Sequence, residues 1–150
     1  MSLTLEKLKE ILVLGNYISE SDFDRVANSA LKKNESVEIA LVKADVIKDD
    51  KLGEVLAKYF NVPFIDLKEE NIQNDLLEML PEAVARAQSA VIFAKTLEGY
   101  SLATSNPTNL AFINRVDQAT DGRILVFYAT PFGILEAFKA YKNNIFKNHL

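Results

Sequence analysis

The N-terminal part of the chain carries apolar residues at helical spacing, separated by short polar breaks. Leucine and isoleucine recur every three or four positions over residues 4–14 and stop at Gly15 and Asn16, which predicts an amphipathic helix with a C-terminal cap. Ser19 is the predicted N-cap of a second helix, which ends over residues 32–34. Its apolar face, about 100° wide, consists of Phe23, Val26, Ala27, Ala30 and Leu31.

The same pattern recurs 29 residues further along the chain. A third helix is predicted over about 36–44 and a fourth over about 49–61, and the shift pairs Leu12 with Leu41. The fourth helix repeats the apolar positions of the second at Leu52, Val55, Leu56, Tyr59 and Phe60. The sequence therefore predicts a duplicated helical hairpin. Because neither hairpin can bury its apolar face alone, the two are expected to pack on each other.

The pattern changes in the middle of the chain. Residues 62–67 are predicted to be extended, because Pro63 disfavours helix in the residue before it and removes a backbone donor. A polar stretch over 68–74 leads to a short helix that ends at Leu80. A further helix is predicted over 81–87, with proline at its favourable first position.

The last third predicts a hairpin of strands followed by a helix, a strand and a helix. Residues 90–94 and 100–104 flank a turn at 98–99, which indicates a β-hairpin. A strand is predicted over 123–129, and Thr130 is the predicted N-cap of the final helix. The apolar positions of the two helices are Leu110, Ile113 and Val116 in the first and Ile134, Leu135, Phe138 and Tyr141 in the second.

These elements predict an α+β fold with two subdomains. Residues 1–67 form a helical subdomain with two repeats, and residues 68–150 form a small α/β sandwich of β-hairpin, helix, strand and helix. The helices of the second subdomain are expected on one face of its sheet.

Composition excludes several classes of protein. The 150 residues are 49% apolar and 25% charged, as in soluble globular domains. The absence of cysteine excludes disulfides, thiolate zinc sites, iron–sulfur clusters and cysteine nucleophiles. No apolar run approaches the roughly 20 residues that span a bilayer, so no direct membrane insertion is expected and the protein is predicted to be cytoplasmic. The net charge of −4, with the signs interspersed, argues against nucleic acid as a partner.

Catalytic, metal and cofactor sites are not indicated. The single histidine, His149, is the penultimate residue, where chain ends are usually frayed. The phosphate-loop pattern G-x-x-x-x-G-K-[ST] is absent, and no glycine precedes a lysine. Acidic pairs are explained as solvated helix starts and lack the spacing of a calcium loop; they are Asp22 with Asp24, Asp49 with Asp50, and Glu69 with Glu70. The chain is therefore predicted not to be an enzyme and to hold no metal and no cofactor.

Three stretches of the sequence resemble a known family. They are LGEVLAKYFNVPFIDL over 52–67, LPEAVAR over 80–86 and SNPTNL over 105–110, and they are taken together with the duplicated helical unit. In this order and spacing they resemble the N-terminal domain of type II secretion ATPases (protein E) and the related type IV pilus assembly ATPases. The resemblance covers roughly residues 5–142.

The resemblance implies a docking role in a bacterial assembly machine. In that family the domain precedes a RecA-like motor and docks the hexameric ATPase onto a cytoplasmic domain of an inner-membrane secretion or pilus assembly protein. The chain is then expected to be peripheral to the inner membrane through that partner, with ATP turnover in a downstream motor. Met1, Ser2 and Leu3 resemble an expression scar, which favours an excised domain. An isolated domain of this kind is expected to be monomeric or weakly dimeric.

Some members of the family bind cyclic di-GMP through two repeats. Each repeat opens with Arg-Leu-Gly, whose arginine pairs with phosphate or guanine, and closes with a glutamine that hydrogen-bonds the ligand. The corresponding residues here differ at both ends of both repeats. The first repeat opens with Lys7, Leu8 and Lys9 and closes with Ala30. The second opens with Ser36, Val37 and Glu38 and closes with Tyr59. Glu38 would bring a negative charge towards a dianion. Binding is therefore predicted to be absent or weaker than about 100 μM, roughly −5.5 kcal/mol.

Two functions of different classes follow from these observations. The leading hypothesis is a protein-interaction domain that binds a membrane-anchored assembly component. The alternative is a nucleotide-sensing module with degenerate motifs, in which Lys7 and Lys9 act as point charges toward phosphate. The identity of the partner, the lobe that meets it, and the choice between secretion, competence and pilus systems stay open.

Overall fold

A computed structural model describes the backbone of residues 3–148 and the side chains of residues 3–139 and 141. The predicted N-terminal helices are present, and side chains cap three of them. Thr4, Ser19 and Ser36 accept hydrogen bonds from the backbone N–H three residues ahead. The elements are α1 (Leu5–Lys9), a π-helix that continues it (Glu10–Leu14), α2 (Glu20–Lys32), α3 (Val37–Lys43) and α4 (Asp49–Phe60).

The predicted repeat has a counterpart in one turn of each hairpin. Asn16 and Asp45, 29 residues apart, both have left-handed φ angles, of 63° and 59°. The N–H of each donates to the carbonyl three residues earlier, over 3.0 Å in both turns. Asparagine and aspartate tolerate this conformation better than most residues. The repeat therefore includes the turns that direct each hairpin, as well as its apolar pattern.

The second part contains the elements that the sequence predicts, with different helix ends. They are a 3₁₀ turn (Leu67–Glu69), α5 (Asn74–Leu77), α6 (Glu82–Gln88), β1 (Ala90–Thr96), β2 (Gly99–Thr104), α7 (Leu110–Ala119), β3 (Ile124–Tyr128) and α8 (Pro131–Asn148). The helix predicted to end at Leu80 ends at Leu77, because Met79 and Leu80 make tighter bonds to the third residue back as the chain approaches proline. Pro81 is the N-cap of α6 rather than its first helical residue.

The strands form one sheet in the order β1-β2-β3. The β1 and β2 strands pair antiparallel, with an irregularity between Ile92 and Ala94, and β3 lies parallel to β2. The predicted extended segment after α4 meets the outer edge of β3, where Phe64 bridges to Tyr128. The Tyr128 N–H donates to the Pro63 carbonyl over 2.8 Å. Phe64 thus continues the sheet by a single residue.

Both faces of this sheet are buried along β1, whereas the sequence predicts helices on one face only. The consecutive residues 90–93 of β1 are all at most 7% exposed, and neighbouring side chains of a strand point to opposite faces. The apolar stripes of the helices are narrower than predicted. Leu110 and Leu135 are 64% and 41% exposed, because α7 and α8 turn other residues of the stripe, such as Ile113 and Ile134, into the core.

The buried residues form two clusters that meet at Tyr128. One lies among the helical hairpins and the other around the sheet. Tyr128 belongs to the strand β3 but packs with the helical cluster, and its ring stacks on Phe60 with 5.5 Å between centroids. The subdomain boundary between residues 67 and 68 stays a prediction. Within residues 3–148, no helix combines the length and the apolar character needed to cross a membrane.

Candidate functional site

Residues 7–9 occupy the first Arg-Leu-Gly position of the cyclic di-GMP motif and lie partly in the core and partly at the surface. Leu8 is 2% exposed and packs inside the helical cluster. Lys9 makes an ion pair with Asp24 over 2.9 Å and lies 3.6 Å from Glu20, both on α2. The hydrogen bond to Asp24 raises the pKa of Lys9. Lys9 is therefore matched by two carboxylates of its own hairpin.

The second opening triplet has structural roles. Ser36 caps α3, and Val37 is 8% exposed. Burial raises the pKa of the half-buried Glu38 carboxyl. Burial also raises the pKa of the Tyr128 hydroxyl, and the charge of Glu38 adds to that rise. Glu38 is thus near the junction of the two clusters.

The two closing positions lie in different surroundings. Ala30 is 1% exposed, whereas Tyr59 is 46% exposed. The Lys7 ammonium lies over the Tyr59 ring, 5.8 Å from its centroid, so the structure brings these two predicted residues together. Ala30 instead lines a groove of about 390 Å³ between α2 and α3, with Arg25, Lys33 and Lys43 at its sides. Neither Lys7 nor Tyr59 lines that groove.

These positions give a testable expectation for cyclic di-GMP. Titration of the chain with the dinucleotide in a calorimeter should give no binding, or a Kd above about 100 μM. The arginines of the motif are missing, Lys9 is already paired, and Leu8 and Val37 are buried. The variant Glu38→Gln should bind no better than the wild type, because it removes a repulsive charge without supplying an arginine. A low-micromolar Kd for the wild-type chain would contradict this expectation.

A polar cluster around a buried carboxylate, which the sequence did not indicate, joins the two parts of the chain. Asp49, at the start of α4, is 6% exposed, so it is not the solvated helix start that the acidic pair predicts. The Thr130 hydroxyl, 81 residues away, donates to Asp49 Oδ1 over 2.7 Å. The Lys68 ammonium lies 3.1 Å from Asp49 Oδ2. Thr130 Oγ1 also accepts from the Gly133 N–H and caps α8. We call Asp49, Lys68 and Thr130 the junction cluster.

The charge of Lys68 is maintained within this cluster. Burial opposes its ammonium form, but the Asp49 carboxylate outweighs burial and the pKa of Lys68 is raised. The ammonium also lies 5.6 Å from the centroid of the Phe132 ring. The junction cluster therefore ties together α4, the 3₁₀ turn and the first turn of α8. Its role is structural, since the groups are already paired with one another.

Close packing of a glycine against an aromatic ring fixes the extended segment that reaches β3. Gly53 lies in α4, and a Cβ at this position would overlap the ring of Phe64. Phe64 is the residue that bridges to β3. The glycine is thus required where the extended segment passes under the helix.

A mainly apolar groove of about 460 Å³ lies between α6 and α7. Its residues are Leu80, Ala83, Val84, Ala87, Gln88, Phe112, Arg115, Val116 and Ala119. The Asn109 amide donates to Gln88 Oε1 over 2.9 Å and ties the start of α7 to the end of α6. We call this surface the α6/α7 groove. Sequence reasoning missed it, although a signal was present: α6 is apolar on the side of Ala83 and Ala87 as well as on the buried side of Ala85.

Metal chemistry is not indicated in the part of the chain that the structure describes. Among those residues, no three side chains of histidine, cysteine, aspartate or glutamate lie together as metal ligands would. His149 lies outside the described residues.

Comparison with known proteins identifies the family. The model of the MshEN domain matches residues 60–144. The type IV pilus assembly ATPase PilB of Myxococcus xanthus (strain DK1622) is 27% identical over 135 residues, which are 90% of this chain and 24% of PilB. The chain thus spans about a quarter of the length of this curated relative.

Two solved structures share the fold. A structure of MshE with cdg has a TM-score of 0.59 and 21% identity, and the match covers 89% of this chain and 97% of that chain. The N-terminal domain of XpsE has a TM-score of 0.59 and 14% identity, with 91% and 94% covered. These comparisons confirm the resemblance to N-terminal domains of secretion and pilus ATPases and the α+β fold. With more than half of its residues matched by the family model, the chain belongs to the MshEN domain family.

Proposed function

We propose that this chain is the non-catalytic N-terminal docking domain of a type II secretion or type IV pilus assembly ATPase. The observation that carries the proposal is the alignment of nearly the whole chain with a quarter of PilB. The missing phosphate-loop pattern supports a role without ATP turnover in these residues. ATP hydrolysis then belongs to a downstream motor.

The docking partner in this proposal is a cytoplasmic domain of an inner-membrane assembly protein. The domain is then cytoplasmic and reaches the membrane periphery through that partner. The two-subdomain division at residues 67 and 68 is part of the proposal. The junction cluster supports a fixed arrangement of the two parts, because Asp49 is buried between groups from both. A fixed arrangement would let one docking contact orient the whole domain.

The test is direct binding to candidate partners. Cytoplasmic domains of inner-membrane proteins encoded in the same operon are immobilised one by one, and binding of the chain is followed by biolayer interferometry at low salt. We expect one of them to bind with a micromolar or lower Kd, as for transient protein interfaces. The chain alone should hydrolyse no ATP in the same buffer. Failure of every candidate domain to bind at low salt would contradict the docking function.

A second candidate function, nucleotide sensing, is favoured by one contact. Lys7 lies over the exposed ring of Tyr59, which places a cation and an aromatic face side by side on the surface. Its ammonium also lies 3.3 Å from Glu10 Oε2, an exposed ion pair that phosphate would have to displace. Lysine can attract phosphate as a point charge. Any nucleotide binding that calorimetry detects should be lost in Lys7→Glu and kept in Lys58→Glu, a matched charge reversal on α4. Equal binding by both variants would exclude the Lys7 site.

A further inference from the structure

We propose that the α6/α7 groove receives an amphipathic helix of the docking partner, which places a carboxylate against Arg115. The inference rests on the proposed function and adds the surface and the chemistry of the contact. Phe112 and Val116 form the floor of the groove and are both 5% exposed. Val84, on its wall, is 38% exposed. Apolar side chains of a partner would therefore cover carbon surface that water now contacts.

The shape of the groove favours a helix as its occupant. Ala83 and Ala87 lie one turn apart on α6, and Ala119 faces them from α7. Such small side chains let a third helix approach closely and seat its larger side chains between the two walls. Both walls are helices, whose backbone groups are mostly bonded internally, so an added strand would find few hydrogen-bond partners. A helix satisfies its own backbone and needs only side-chain contacts.

The charge of the groove favours an acidic residue on that helix. Arg115 is the one charged residue among those lining the groove. Positions three and four residues away on α7 carry no carboxylate. Within the part of the chain that the structure describes, no ion pair of Arg115 is found. Arg86, which lies on α6 but does not line the groove, is by contrast bound to Glu82 over 3.0 Å and lies over the Phe138 ring. A single arginine beside apolar surface matches one carboxylate better than a polyanion.

Two groove variants test the proposal in the full chain. Ala87→Glu places a charged side chain in the apolar groove, and Arg115→Glu reverses its charge. Both residues are exposed, so the variants should fold, which thermal unfolding by circular dichroism would verify. Affinity is measured for the cytoplasmic domain that binds the wild-type chain. We expect each variant to weaken binding about tenfold or more, and the matched control Ser29→Glu on α2 to change it less than about twofold.

The outcomes separate the inference from the function on which it rests. Recovery of Arg115→Glu binding by a carboxylate-to-lysine change in one helix of the partner would identify the paired residue and support the proposal. If both groove variants bind with wild-type affinity, or if only Ser29→Glu loses affinity, the groove is not the docking site. The docking function itself would stand. A wild-type dimer that Ala87→Glu dissolves in sedimentation velocity would assign the groove to a second copy and also overturn it. No binding by the wild-type chain would refute the docking function itself.

Discussion

Asp49→Ala is expected to lower the free energy of unfolding by about 3 kcal/mol. The change removes the acceptor of the Thr130 hydroxyl and leaves the Lys68 ammonium without its nearest carboxylate. Loss of one partner of a buried ion pair typically costs 3–5 kcal/mol. Because the Lys68 side chain is 34% exposed and water can solvate part of its charge, we expect the lower end of that range. Urea unfolding followed by circular dichroism at 222 nm measures the effect.

Asp50→Ala is the matched control for this prediction. Asp50 is the next residue of the same first helical turn but is exposed. Both substitutions remove a negative charge from the N-terminus of α4, where each carboxylate contributes about 0.5 kcal/mol. Asp50 also accepts a hydrogen bond from the Lys51 N–H over 2.9 Å, so the difference between the two variants is a lower bound on the contribution of the buried Asp49 contacts. Equal losses of stability in Asp49→Ala and Asp50→Ala would show that the junction cluster contributes no more than that exposed hydrogen bond.

Gly53→Ala is expected to lower the free energy of unfolding by about 2 kcal/mol, although alanine is the better helix former. In an exposed helix the same change would stabilise by about 1 kcal/mol. Here the new Cβ would overlap the Phe64 ring, so α4 or the extended segment has to shift. Overpacking of this kind costs about 1–3 kcal/mol and occasionally more. Urea unfolding again gives the measurement.

A double-mutant cycle with Phe64→Ala separates the overlap from helix propensity. Once the ring is removed, the Cβ at position 53 has space, and Gly53→Ala should stabilise the chain by about 0.5–1 kcal/mol. The effect of one substitution thus changes sign between the two backgrounds. A destabilisation of the same size in both backgrounds would rule out the contact with Phe64 as its cause.

Local features were predictable from the sequence because their causes lie within a few residues. Ser19 and Thr130 cap their helices as predicted, since a hydroxyl three positions before a backbone N–H can reach it. The duplicated hairpin was visible because the same apolar spacing serves both copies. The hairpin of β1 and β2 followed from two β-rich runs around a short turn.

Long-range contacts were not predictable in this way. Asp49 has the sequence context of a solvated helix start, and its burial depends on Thr130 and Lys68, which only the fold brings near. The exposure of Leu135 depends likewise on which side of α8 faces the sheet. For the candidate site, the motif positions could be named, but whether each is buried, paired or exposed depended on packing between the hairpins. Predicting the α6/α7 groove would have required the position of α7 as well as the composition of α6.

The two hairpins repeat one turn of the backbone but differ in their first helices and in the surroundings of equivalent side chains. Ala30 and Tyr59 occupy equivalent positions in the repeat, yet the first is 1% exposed and the second 46%. A chimera carrying the second hairpin in both places would put a tyrosine at the position of the buried Ala30, beside the groove between α2 and α3. The reverse chimera would leave Lys7 without its aromatic neighbour. The repeat therefore persists in the turns at Asn16 and Asp45, whereas exchanging the two copies would change the surroundings of Ala30 and of Lys7.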